Sequence, residues 1–216
     1  MIKATNIEKS YNGEKVLWGV SLDINDGEFV SIMGESGSGK STLLSILGGF
    51  LDPDKGSVLL GGKDISEMRE IELSRIRCTD LGFVFQGFKL IPTLSVRDNI
   101  LLPAALGGKL GEERMAYLGT LADALGISSL LDKFPTQLSG GQCQRAAIAR
   151  ALVYEPSTVI LDEPTSALDS EMERRVMELL ADVNRKRGTT IIQVTHSSKV
   201  AEYGNRIIHI ADGKII

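Results

Sequence analysis

Gly34-Glu35-Ser36-Gly37-Ser38-Gly39-Lys40-Ser41 is the stretch on which the reading of the whole chain turns. It fits the pattern G-x-x-x-x-G-K-[ST], with the short apolar run Phe29 to Met33 before it and the helical pattern Ser41 to Leu47 after it. Strand, loop, helix is the context in which that pattern carries chemistry. The glycines let the backbone curl until successive N–H groups converge on phosphate oxygens, and the open helix end adds positive potential. Lys40 is placed to reach the terminal phosphates, the Ser41 hydroxyl to complete coordination of Mg2+, and Thr42 to hydrogen-bond an inner phosphate. Gly34, Ser36, Gly37, Ser38 and Gly39 form the cradle itself. Binding of a nucleoside triphosphate follows, but kinases, GTPases and motors share this loop.

Working outward, Asp162 and Glu163 follow a second apolar run, Thr158 to Leu161. A carboxylate at a strand end near the phosphates can hold the Mg2+ hydration shell, the task assigned to Asp162. Glu163 is adjacent and points the other way, placed to accept a proton from an attacking water. The bland alternative makes Glu163 only a cap for the turn before Pro164. Further strands are expected at Gly82 to Phe85, Thr190 to Val194 and Arg206 to Ala211, with helical stretches between most of them, which argues for an α/β fold with a mainly parallel sheet. Ile2 to Ile7, Lys15 to Ile24 and Ser57 to Leu60 read as a small antiparallel sheet, joined by turn clusters such as Asp52 to Gly56. Between Gly87 and Leu138 the strand signal disappears. Glu112 to Leu125 there places Met115, Leu118, Leu121, Ala122 and Leu125 at helical spacing. A later helix is defined by its ends, with Asp169 as N-cap, Arg185, Lys186 and Arg187 in the last turn and Gly188 as stop. Asp212-Gly213 marks a hairpin turn.

The chain has 216 residues, enough for one domain with a modest insertion, and a formal net charge of -4. No basic field is present to draw in a phosphate backbone, so nucleic acid is a poor partner. There are two cysteines, Cys78 and Cys143, and the opening residues lack a signal-peptide pattern, so the cytosol is the expected compartment. The longest apolar stretch, near Ile100 to Leu106, contains Pro103 and falls far short of the ~20 residues a spanning helix needs. A membrane role therefore requires a partner. His209 has no second ligand-type residue nearby in sequence, and the basic run Arg185 to Arg187 is accounted for by the helix dipole.

Leu138-Ser139-Gly140-Gly141-Gln142 precedes another helical stretch, where Ser139 is placed as a cap and two glycines leave the helix end open to an anion. Alone this is an ordinary capped helix. Together with the two preceding motifs it resembles the signature of the ATP-binding cassette superfamily, L-S-G-G-Q, and the resemblance covers essentially the whole chain. Gln86 stands where the family has its Q-loop, Ser166-Ala167-Leu168-Asp169 matches the D-loop, His196 matches the switch histidine, and Tyr11 sits where members stack an aromatic ring on adenine. Each is weak singly; the order of all of them is specific.

The resemblance implies a P-loop NTPase (RecA-like) core, residues 1–86 and 139–216, carrying a small antiparallel β subdomain, with a helical subdomain inserted at 87–138. It also implies a Mg2+-dependent ATPase that forms a head-to-tail homodimer. Each ATP would lie between the phosphate loop of one subunit and Ser139, Gly140, Gly141 and Gln142 of the other, with Asp169 linking the sites. His196 would orient water against Glu163, and Gln86 would sense Mg2+ and water. A separate permease-like transmembrane subunit would dock near Gln86 to Pro103, a stretch read as a loop rich in exposed apolar residues, and would hold the cassette at the cytoplasmic face of the membrane. GEFVSIMGESGSGKSTLLSILGGF and GFVFQGFKLIPTLSVRDNILLP look like the MacB/LolD/FtsE branch, whose members export or extract peptides, lipoproteins, drugs or haem. An FtsE-like regulator, which moves no substrate, is the alternative. A DNA-repair or translation cassette is disfavoured, because the 98 residues between Lys40 and Ser139 leave no room for a coiled-coil arm. Cys143 and Gln193 depart from the usual pattern without touching a catalytic role.

Overall fold

The apolar runs form one six-stranded sheet in the order β10-β9-β3-β8-β7-β6. Its strands are β3 (Phe29–Met33), β6 (Leu81–Val84), β7 (Thr158–Asp162), β8 (Thr190–Val194), β9 (Arg206–Ala211) and β10 (Lys214–Ile215). The computed structural model describes residues 1–216. Neighbours pair in parallel throughout, except β10, which returns antiparallel to β9 through Asp212-Gly213. The central strands are covered on both sides, so they read as continuous apolar runs rather than alternating ones. Phe29, Val159, Leu161 and Ile191 enter one core, whereas Val30, Ile32, Ile160 and Ile192 enter the other.

The first core is roofed by α3 (Val96–Leu106), α4 (Glu112–Ala124), α5 (Gly140–Leu152) and α6 (Ser170–Arg187). The second is closed by α1 (Lys40–Leu47) and by an antiparallel sheet of order β2-β1-β4-β5. That sheet comprises β1 (Ile2–Tyr11), β2 (Glu14–Ile24), β4 (Lys55–Leu60) and β5 (Lys63–Asp64). α6 has the ends read from its sequence, since the Asp169 carboxylate accepts from the Met172 N–H at 2.9 Å and Gly188 stops it in the left-handed conformation.

Several elements differ from their sequence reading. β1 continues to Tyr11 instead of stopping at Ile7, because bulges between Ala4 and Ile7 and again beyond Lys9 break the alternation that marks a strand. β4 starts at Lys55, inside the presumed turn. Met115 is 43% exposed although it shares the spacing of buried Leu118, Leu121 and Ala122. α2 (Glu70–Thr79) leaves little mark in the sequence: it buries only Leu73 and has little amphipathic pattern to read.

The stretch Gln86 to Pro103 is not all loop. α3 begins at Val96, with the Ser95 hydroxyl accepting from the Asp98 N–H at 3.1 Å, and Ile100 and Leu101 are buried. Phe88 and Leu90 pack against the core, leaving Ile91 and Pro92 exposed. Buried Asn99 shapes that loop from within α3. Its Oδ1 accepts from the Ile91 N–H at 2.7 Å, and its Nδ2 reaches the carbonyls of Ile91, Leu94 and Ser95 at 3.0, 3.1 and 3.0 Å. Asn99→Leu keeps the branched shape and heavy-atom count but leaves these groups unpartnered, so urea unfolding should show a loss of roughly 1–3 kcal/mol. An unchanged midpoint would mean the loop holds its shape without Asn99.

Candidate functional site

Parallel pairing decides where the motif residues meet. Ile32 pairs with Val194, and Val194 with Asp162, so the carboxyl ends of β3, β8 and β7 are level. Val84 of β6 pairs with Leu161, which brings the start of the Gln86 loop to the same edge. In open α/β sheets, ligands bind beyond the carboxyl ends of the strands. Here that edge opens into a cavity of about 350 Å3, lined by Gly34, Ser36, Gly37, Gly39, Lys40, Ser41, Thr42, Gln86, Glu163 and His196, with Val16 as its one hydrophobic wall residue.

The loop over β3 is built for an anion. Gly39, at φ 97°, precedes α1 in the left-handed region, where a Cβ would stand 2.8 Å from Leu17 Cδ2 and 3.0 Å from the Val16 carbonyl. α1 has no side-chain cap and no acidic residue in its first turn, so its N–H groups stay available. Lys40 is buried, and its Nζ donates to the carbonyls of Gly34 (2.9 Å) and Glu35 and lies 3.4 Å from the Ser38 hydroxyl. A buried ammonium held by neutral carbonyls still carries a full positive charge toward the cavity, the match for a triphosphate.

Asp162 and Ser41 are hydrogen-bonded beside it. Burial pushes the Asp162 carboxyl above its ordinary pKa; the Ser41 hydrogen bond opposes this, the Glu163 charge adds to it, and the Lys40 charge opposes it. Hydroxyl, carboxylate and the Gln86 amide are hard oxygen donors of the kind Mg2+ takes. No three His, Cys, Asp or Glu side chains converge as a metal site, here or elsewhere. Such a sparse set suits an ion that shares its coordination with substrate phosphates.

Glu163 has φ 50°, a strained value for a residue with a side chain, and it precedes a proline. Its N–H donates to the Val194 carbonyl at 3.0 Å, and its carbonyl accepts from the Ser166 hydroxyl at 3.1 Å. The turn is therefore closed by Ser166, through its hydroxyl and its N–H, and the Glu163 carboxylate is free of capping duty. Glu163 Oε1 stands 3.4 Å from His196 Nδ1 at the cavity wall.

The remaining motif residues lie outside the cavity. Tyr11 ends β1, 45% exposed, and Val16 instead contributes the apolar wall, a residue the sequence singled out by nothing more than its place in a strand. Ser139 and Gln142 form a reciprocal capping box: the Ser139 hydroxyl accepts from the Gln142 N–H at 3.3 Å, and the Gln142 side chain accepts from the Ser139 N–H at 2.9 Å. The Ser139 hydroxyl hydrogen remains free to donate. Gly140 is exposed, and Gly141 lies so close to the 166–169 loop that a Cβ would meet the Ala167 carbonyl at 2.8 Å. Asp169, exposed, is occupied as the α6 cap.

Two supports of the site were not legible beforehand. Gln193, buried in β8, donates to the Ser31 hydroxyl and the Val200 carbonyl, both at 2.9 Å. It thus ties β3 to α7 (Ser198–Ala201), the short helix that follows His196. Gly213, in the β9–β10 turn, donates its N–H to the Ser38 carbonyl at 3.2 Å and accepts from the Trp18 N–H at 2.9 Å, joining the phosphate loop to β2. At φ 71°, a Cβ on Gly213 would stand 2.1 Å from the Val16 carbonyl.

A glycine-rich loop on a helix N-terminus, a buried lysine, a metal-type Ser–Asp pair and a strained carboxylate on one sheet edge define a P-loop nucleoside triphosphatase. The ABC transporter family profile matches residues 17–166, and an AAA domain profile (putative AbiEii toxin, Type IV TA system) matches 134–202. The bacitracin export ATP-binding protein BceA of Halalkalibacterium halodurans is 43% identical over all of this chain and 87% of its own length. The lipoprotein-releasing system ATP-binding protein LolD of Aquifex aeolicus is 44% identical, with 100% and 96% covered. The macrolide export ATP-binding/permease protein MacB of Brucella melitensis is 46% identical, but this chain spans 34% of its length. Among solved structures, the dimeric cassette MJ0796 in a post-hydrolysis state with ADP and Pi superposes with a TM-score of 0.93 at 40% identity, covering 100% of this chain and 96% of that one. The chain belongs to the ABC transporter family and is an ATP-binding cassette ATPase.

Because the Gly213 turn braces the phosphate loop from behind, Gly213→Ala should weaken ATP binding roughly tenfold. Asp212→Gly, at a position already left-handed, should leave affinity unaltered. Fluorescent-nucleotide titration checks both; equal affinities in the two variants would remove Gly213 from this role.

Proposed function

We propose that this chain is the ATP-hydrolysing subunit of an export or extraction system, working as a homodimer around two Mg2+-ATP and driving a separate membrane subunit. The observation that carries the reading is the division of the anion-binding parts. Lys40, Glu163 and His196 line a cavity on the sheet edge, while the open N-terminus of α5 lies exposed and outside it. A second copy turned head to tail would bring its Ser139, Gly140, Gly141 and Gln142 over the phosphates held by the first. Its Asp169 would stand at the seam. Water is then excluded only on assembly, which strengthens every charge interaction at the γ-phosphate.

The residues divide the work as follows. The phosphate loop and Lys40 hold and neutralise the phosphates, Thr42 takes an inner oxygen, and Tyr11 stacks on adenine beside Val16. Ser41, Asp162 and Gln86 would hold the Mg2+, which when bound would neutralise charge on the phosphates. Glu163 takes the proton of the attacking water, and His196, beside it, fixes that water's direction. Residues 87–138 act as a helical subdomain hinged on the core of 1–86 and 139–216, and the exposed Ile91 and Pro92 offer apolar contact to the membrane subunit. No helix here is long and apolar enough to cross a membrane. The cassette accordingly sits at the cytoplasmic face through that subunit. Relatives named for bacitracin export and lipoprotein release support moving a substrate over FtsE-like regulation.

Glu163→Gln should lower turnover about 100- to 10,000-fold with ATP affinity nearly unchanged. The same variant should sediment as a dimer with ATP and a monomer without it, and adding Ser139→Arg should abolish the dimer while nucleotide still binds. Normal turnover in Glu163→Gln, or a monomer at saturating ATP, would contradict the reading. Photocrosslinkers at Ile91 and Pro92 should capture the co-expressed membrane subunit; capture only from probes elsewhere would relocate the docking face.

A further inference from the structure

Arg150 stands in the last turn of α5, largely buried, with no carboxylate facing it. Burial draws its pKa down from the ordinary arginine value, and what solvates the cation is backbone: Nη1 donates to the Lys89 carbonyl at 2.6 Å and Nη2 to the Phe88 carbonyl at 2.7 Å. Both acceptors belong to strained residues, since Phe88 has φ 58° and Lys89 φ 50°. Consecutive left-handed residues with side chains persist only where surroundings over-determine them. They lie two and three positions beyond Gln86, a wall of the nucleotide cavity.

The opposite end of the same helix faces the same loop. The Phe88 ring lies 3.9 Å from where a Cβ on Gly140 would stand. Phe88 is thus held by its carbonyl at the last turn of α5 while its ring lies beside the first, the two turns being roughly 15 Å apart along the helix. The Arg150 hydrogen bonds are the direct link between α5 and the Gln86 loop.

We propose that Arg150 is a positioning residue that locks the Gln86 loop to α5, so that an event at the α5 N-terminus is felt at Gln86 of the same chain. This rests on the two-subunit reading above: Ser139 to Gln142 would face the ATP of the partner subunit, whereas Gln86 serves the chain's own site. Arg150 therefore connects the two ATP sites of a dimer. Backbone carbonyls, unlike a carboxylate, accept this guanidinium only while the loop keeps its strained shape, so the link senses conformation.

Hydrogen exchange of the full chain in the Glu163→Gln background tests it, with and without Mg2+-ATP. In that parent, ATP should slow exchange in both 139–143 and 86–92. With Arg150→Gln added, the slowing at 139–143 should persist, while amides at 86–92 exchange roughly ten- to a hundredfold faster in either condition. Arg150→Lys, which keeps the charge but reaches one carbonyl, should fall between, and it replaces Arg150→Gln if that variant unfolds. Lys89→Gly, which removes the cost of one left-handed residue, should restore part of the protection lost in Arg150→Lys. Retained protection at 86–92 in the arginine variants would overturn the proposal, as would equal loosening of every segment without rescue by Lys89→Gly. If ATP leaves 139–143 unprotected in the parent, the two-subunit reading fails, but the nucleotide-free comparison at 86–92 still decides whether Arg150 holds the loop.

Discussion

Everything at the site depends on the parallel pairing of β3, β8, β7 and β6. The residues gathered at the cavity come from 34–42, 86, 162–163 and 196, and no local turn could bring them together. Register does so: Ile32 opposite Val194, Val194 opposite Asp162, Leu161 opposite Val84. Buried apolar residues on both faces fix that register, because a slip of one residue would exchange the faces along a whole strand. Phe29 and Val30, or Ile191 and Ile192, would each move into the wrong core. The rigidity of the sheet is therefore a condition of the chemistry.

Against that rigid edge, the loops are held in conformations they would not adopt alone. Glu163 and the pair Phe88 and Lys89 all have positive φ with full side chains. Each is tied by specific hydrogen bonds, from Ser166 in the first case and Arg150 in the second. Strain placed next to a nucleotide has a use. A loop whose shape depends on a few hydrogen bonds can change when charge in the neighbouring cavity changes, whereas a relaxed loop would have no second arrangement close in energy.

How much of this was legible in the sequence depends on whether the signal was local. The phosphate loop, the Asp162-Glu163 pair and both ends of α6 were readable because each is a short pattern whose chemistry is complete within a few residues. Bulges erase the alternation that would mark β1 beyond Ile7, and spacing puts Met115 on the face of Leu118 and Leu121 without showing how far along the helix other elements cover it. Arg150 and Gly213 were invisible as supports for a different reason. Each acts through backbone partners distant in the chain, so neither its own type nor its neighbours carry the information. Gln193 stood out as a departure from pattern, yet its partners, Ser31 and Val200, emerge only once β3, β8 and α7 are in place.

The Gly213 turn also has a temporal side. The loop that begins at Gly34 is finished by a residue 179 positions later, and β3 gains its two sheet neighbours, β8 and β9, only from the final quarter of the chain. At ribosomal speeds of about 5–20 residues per second, that gap is roughly 10 to 40 s of synthesis. Throughout it, β3 is an apolar strand with both edges open, and the cradle it supports lacks its back wall. The emerging polypeptide must therefore be shielded from its own stickiness before nucleotide can help hold it together, and loss of a few residues from the β9–β10 hairpin would be felt at the opposite end of the sequence.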